Sequence, residues 1–129
     1  MTSDKVRKYI DMAYPICLDI ERQKKHVSII LHKKRVVGVG TNSFGSTHPK
    51  AKQIGYPYDE MHSELDALLR VDKGLLKKRP KLDLINVRFN RFGELRMSRP
   101  CDKCMPWCQV LFRTIWYTTD EGIFKLEEV

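Results

Sequence analysis

The sequence predicts an α/β fold built as a single domain over residues 1–129. Three observations carry that prediction. Five short runs, at 27–31, 36–41, 82–89, 115–119 and 123–127, are rich in β-branched and other apolar residues. Helix-like stretches, with apolar residues at three- and four-residue steps or a proline-led start, alternate with them. Only Asp120-Glu121-Gly122 separates the last two runs, too few residues for a parallel crossover, so the final strands form an antiparallel hairpin.

A chain of 129 residues holds one core and not two. Its 24 Lys and Arg against 16 Asp and Glu leave a formal charge of +8, which points to a polyanionic partner or else to a solubility charge. The first residues lack an apolar leader and no run approaches a membrane span, so the expectation is a soluble, cytoplasmic protein without membrane contact. Reduced cysteines suit that compartment. Oligomeric state is undetermined by the sequence, and a monomer is compatible with it.

Taken in order, residues 3–23 read as an amphipathic helix with Ser3 as N-cap and Val6, Tyr9, Ile10, Ala13, Ile16, Cys17 and Ile20 on one stripe. Pro15 should kink or split it. The runs 27–31 and 36–41, parted by His32-Lys33-Lys34-Arg35, read as a hairpin, with His26 and His32 at exposed strand ends. From Asn42 to Glu60 nothing is periodic. Phe44, Tyr56 and Tyr58 interleave there with His48, Lys50 and Lys52, which suits a loop that stacks bases and steers phosphates, or one whose tyrosines cover the core.

Residues 60–73 read as a second helix, with Asp59 as N-cap, Met61, Leu65, Leu68, Leu69 and Asp72 along its face, and Gly74 as its stop. Lys77–Lys81 is a cationic linker into the 82–89 strand. A turn-rich break follows, with Arg91 and Arg96 around Phe92. Pro100 suits the first turn of a third helix, and Pro106 predicts that this turn is irregular. Strands at 115–119 and 123–127 complete the chain.

The chemistry lies in two separated motifs, His62-Ser63-Glu64 and Pro100-Cys101-Asp102-Lys103-Cys104. One imidazole and two thiolates supply three ligands to a tetrahedral Zn²⁺ and leave a fourth position for water, as catalytic zinc sites require. A purely structural zinc has no use for a carboxylate two residues from its His, whereas a hydrolytic site needs an uncoordinated proton carrier. A bare C-x-x-C also suits redox sites and zinc ribbons. Cys108, among Trp107, Val110, Leu111 and Phe112, reads as core rather than as a fourth ligand, and Cys17 reads as core too.

The H-x-E … P-C-x-x-C pairing resembles the zinc-dependent nucleobase and nucleotide deaminases, over about residues 27–127. That resemblance implies a cytidine deaminase-like three-layer α/β/α architecture, a five-stranded mixed sheet with helices on both faces. It implies Zn²⁺ on His62, Cys101 and Cys104, with Glu64 shuttling protons for hydroxide attack on C4 of cytosine. By position, Asn42 matches the residue that holds sugar or base. The Arg99 carbonyl stands where related sites accept the amino group, its side chain being left for a phosphate, and Tyr117 and Asp120 occupy the region that touches flanking nucleotides. Residues 90–97 look like an elaboration beside the site mouth. The terminal hairpin is similar to that of cytidine deaminases and several bacterial-toxin deaminases, and departs from the AID/APOBEC, deoxycytidylate and tRNA-adenosine branches, where a helix intervenes.

With the basic charge, the Arg91-Phe92 turn, Arg99 and the residues Phe44, His48, Tyr56 and Tyr58, the favoured substrate is single-stranded nucleic acid, DNA over RNA. A free cytidine nucleotide such as dCMP is the alternative. A zinc-stabilised binding module without turnover is a third reading, from a different class.

Overall fold

A computed structural model describes residues 3–18, 25–42, 62–122 and 124–128. Phe44, His48, Tyr56, Tyr58 and the expected cap Asp59 lie outside the described residues. The elements are α1 (Ser3–Leu18), β1 (Lys25–His32), β2 (Arg35–Thr41), α2 (Ser63–Leu69), α3 (Lys73–Lys77), β3 (Leu82–Phe89), α4 (Met105–Leu111), β4 (Phe112–Thr118) and β5 (Phe124–Glu128). The strands form one open mixed sheet in the order β2-β1-β3-β4-β5. Only β3 and β4 run parallel, with α4 in their crossover, and β4–β5 is the antiparallel hairpin that its short connection requires.

Alternation along the strands divides the core in two. Ile29, Leu31, Ile85, Val87 and Phe89 pack with Val6, Ile10, Ala13 and Cys17 of α1. Ile30, Leu84 and Ile115 turn the other way, onto Leu65, Ala67, Val71, Cys104, Met105 and Cys108. Strand β3 is therefore covered on both faces, and all of its residues but Arg88 are buried. That packing also carries α1 straight through Pro15 as a single helix; one lost main-chain bond is outweighed by a fully buried stripe on either side of it.

The second helix differs from its expected 60–73 span. It runs only from Ser63 to Leu69, with His62 at the N-cap. Asp72, expected on its face, instead caps α3 by accepting the Leu75 amide at 3.0 Å, and Gly74 lies inside α3 rather than ending a helix. Helix α2 lies hard against β2. A Cβ on Gly40 would fall 2.5 Å from the Ser63 carbonyl oxygen, and one on Gly38 would fall 2.6 Å from that of Ala67. These two glycines of the Val36–Thr41 run set the depth at which the His62–Glu64 turn sits.

The third helix begins at Met105, not Pro100. Cys101–Cys104 is a turn in which the amides of Cys104 and Met105 both donate to the Cys101 carbonyl, at 3.0 and 2.8 Å. Pro106 then falls in the first helical turn, where its absent N–H is harmless, so the irregularity expected around it is confined to the Cys101–Cys104 turn ahead of the helix. Residues 90–98 leave and re-enter the sheet. Asn90 Oδ1 accepts the amides of Phe92 and Glu94, and Gly93 takes the left-handed conformation (φ +80°) that a side chain would resist. The chain then returns along β3, with Arg96 N donating to Arg88 O and Ser98 N to Thr118 O, seated between the diverging ends of β3 and β4. His26 and His32 are half-buried rather than exposed. No helix among the described residues is long and apolar enough to cross a membrane.

Candidate metal centre

The turns ahead of α2 and α4 bring His62, Cys101 and Cys104 together, with their ligand atoms all within 4.8 Å of one another. His62 holds an extended backbone (φ −79°, ψ 150°), and its ring does not cap the helix. Nδ1 stands 3.5 Å from Cys104 Sγ and 4.0 Å from Cys101 Sγ. Zinc bonded at ~2.0 Å to nitrogen and ~2.3 Å to sulfur, with a tetrahedral angle between them, sets an N···S separation of about 3.5 Å. The Cys104 separation matches that value and the Cys101 separation lies about 0.5 Å beyond it, so the donor set suits a thiophilic ion after a small inward shift of Cys101.

Electrostatics agree. Burial pushes the Cys104 thiol well above its ordinary range, with Glu64 and Cys101 adding to the shift. Thiolates there need a compensating cation, and metal binding must displace protons. Cys108 is fully buried in the apolar cluster and stands outside the three-residue group, as its surroundings predicted; burial raises its thiol too.

Glu64 lies in the first turn of α2, 5% exposed. Burial pushes its carboxyl upward; its own backbone amide, Asn86 and His62 pull the other way without cancelling that rise. Asn86 Nδ2 donates to Glu64 Oε1 at 2.7 Å and to the Ser98 carbonyl at 3.1 Å, while its Oδ1 accepts from Ser28 Oγ at 2.6 Å. Ser28 Oγ in turn lies 2.7 Å from Ser63 Oγ. Ser98 Oγ donates to the Asn86 carbonyl at 2.8 Å and accepts the Thr118 amide at 2.7 Å. Sequence reasoning missed this network. Its signal was an amide between Ile85 and Val87 in the middle of the Leu82–Phe89 strand and a serine inside Val27–Leu31.

The remaining site residues fare differently. Asn42 Oδ1 accepts the His26 amide at 3.0 Å, extending the β1–β2 ladder by a side-chain bond. Tyr117 is half-buried and pairs in register with Asn86. Asp120 Oδ1 accepts the Met97 amide at 2.8 Å and so tethers the segment leading to Pro100. Arg99, expected to have its side chain free for a phosphate, does not: Nε and Nη2 grip Glu127 at 2.7 and 2.9 Å. The β4–β5 hairpin supplies that carboxylate, and the pairing holds the guanidinium charge above its ordinary pKa.

The chain matches no model of a known protein family, and no curated protein matches it in sequence.

Proposed function

We propose that this chain is a zinc-dependent hydrolytic deaminase converting cytosine to uracil in single-stranded DNA, on a cytidine deaminase-like three-layer domain. One observation carries the reading: a buried carboxyl, Glu64, is held by Asn86 beside a His/Cys/Cys group that offers a metal three ligands. A structural site would close its coordination with a fourth ligand, and among the described residues none joins these three.

Zn²⁺ on His62, Cys101 and Cys104 supplies, when bound, the lowered pKa that makes water a nucleophile near neutral pH. Glu64 takes the proton that water gives up as its oxygen adds to C4 of cytosine, and delivers it to N3. Glu64 then passes the proton of the new C4 hydroxyl to the exocyclic nitrogen, so that C4=O forms, the C4–N bond breaks and ammonia leaves. Asn86 donates to Oε1 and so holds the carboxyl in place for that transfer. A carboxyl raised by burial is suited to both accepting and returning the proton.

The net charge of +8 supports a polynucleotide substrate. The pairing of Arg99 with Glu127 removes one phosphate contact from that reading and favours dCMP as the second. Incubating zinc-loaded protein separately with a single-stranded oligonucleotide, dCMP and deoxycytidine, with Glu64→Gln as control, tests both. Uracil in the oligonucleotide alone supports DNA deamination, and uracil from dCMP alone supports the nucleotide enzyme. Uracil from none of them, with zinc bound, leaves a binding module.

A further inference from the structure

Arg88 lies two residues beyond Asn86 on β3, and both side chains leave the sheet on the face that carries Glu64, while Val87 between them packs against α1. Two strand residues span about 7 Å, the scale of a single nucleotide. His26, opposite Arg88 in the β1–β3 register, projects from the same face.

The guanidinium of Arg88 is under-used. Nη1 makes a long bond of 3.4 Å to the Met97 carbonyl, and Nε is buried with no hydrogen-bond partner. Arg88 joins none of the ion pairs among the described residues. Two other arginines of this protein show what a guanidinium does elsewhere. Arg99 and Arg113 each present Nε and Nη2 side-on to a carboxylate, Glu127 and Asp83. No anion among the described residues meets Arg88 in this way. Its Nε is shielded by the protein, so a bound oxyanion would meet the guanidinium through its Nη groups, on the exposed side where Nη1 reaches Met97.

We infer that Arg88 is an oxyanion-binding residue of the candidate site, taking a phosphate of a cytosine nucleotide through the Nη groups of its guanidinium. The naming of the anion rests on the deaminase reading; the anion site itself does not. The phosphate belongs either to a free nucleotide or to a phosphodiester backbone.

Calorimetric titration of zinc-loaded Glu64→Gln protein with inorganic phosphate, dCMP, deoxycytidine and a short dC oligonucleotide, with and without Arg88→Met, tests this. Arg88→Met is expected to weaken phosphate-bearing ligands by about tenfold or more while deoxycytidine binding is unchanged. A loss for dCMP and inorganic phosphate assigns the fork to a terminal phosphate, and a loss for the oligonucleotide alone assigns it to a phosphodiester. An equal loss for deoxycytidine, or no loss for any phosphate-bearing ligand, overturns the inference. Should Arg88→Met not fold, Arg88→Lys carries the test: it keeps the charge without the fork and is expected to bind dCMP more weakly than the parent, whereas parental affinity overturns the forked assignment. Arg88-dependent phosphate binding with no uracil from any substrate would keep the anion site and reject the deaminase. Uracil formation indifferent to Arg88 would do the reverse.

Discussion

Asn86 Nδ2 donates to Glu64 Oε1 at 2.7 Å and to the Ser98 carbonyl at 3.1 Å, so one buried amide joins β3 to α2 and to the segment leading to Cys101. Asn86 is 1% exposed, and no water can replace it there. Asn86→Ala strips a donor from two acceptors and an acceptor from Ser28. It is expected to destabilise the fold by about 1–3 kcal/mol. In folded, zinc-replete protein it should lower kcat by about 10–100-fold with KM little changed. Full kcat in that protein would falsify a positioning role for Asn86.

Metal analysis is expected to find one zinc per chain, lost in His62→Ala, Cys101→Ser and Cys104→Ser and retained in Cys108→Ser. Burial raises the Cys104 thiol, so protons compete strongly with the metal. Apparent zinc affinity should therefore fall as pH is lowered, and chelation should reduce the melting temperature. Zinc retained in Cys104→Ser at full stoichiometry would remove that residue from the ligand set.

Gly40→Ala places a methyl group against Ser63 O and the Ala67 backbone of α2, where nothing flexible can yield. Overpacking of this kind costs about 1–3 kcal/mol. Denaturant unfolding should show it, together with weaker zinc binding because the His62 turn is pushed off β2. Stability and zinc affinity equal to the parent would mean that α2 shifts freely.

In metal-free protein Glu64 has a folded pKa above its unfolded one, because burial disfavours its charged form. Above the unfolded pKa the folded state holds the extra proton, so stability falls as pH rises through the folded value. Glu64→Gln keeps an acceptor for Asn86 and removes the charge. Its melting temperature in chelator should exceed the parent's at pH 7, and the gap should close near pH 4. A gap independent of pH would show that the carboxyl is not desolvated.

Arg99→Ala breaks an ion pair whose Arg side chain is 39% exposed. The loss should stay below about 1 kcal/mol, and turnover should be nearly unchanged. A large loss of activity would return Arg99 to substrate contact.

The locally encoded features were legible. Apolar runs placed all five strands, and the three-residue gap Asp120–Gly122 fixed an antiparallel ending. Where two local signals competed, contacts decided. Helix periodicity favoured running α2 into Lys73, but Asp72 gained more by capping α3. Pro15 favoured a break, but the buried stripe of α1 held the helix together.

By itself, then, the sequence determined the ligand types, their grouping on two turns, and the carboxylate beside them, because residue chemistry and short spacing are local properties. Only the tertiary structure decided which partners those residues meet. Ser28 and Asn86 bond across 58 residues of chain, Arg99 finds Glu127 across 28, and the close approach of α2 to Gly40 is a property of packing rather than of either segment. Such long-range contacts follow from strand register and helix depth, which the whole core sets at once. That is why Arg99 read as an open cation and proved to be paired, while Arg88, inconspicuous in its strand, meets no anion among the described residues.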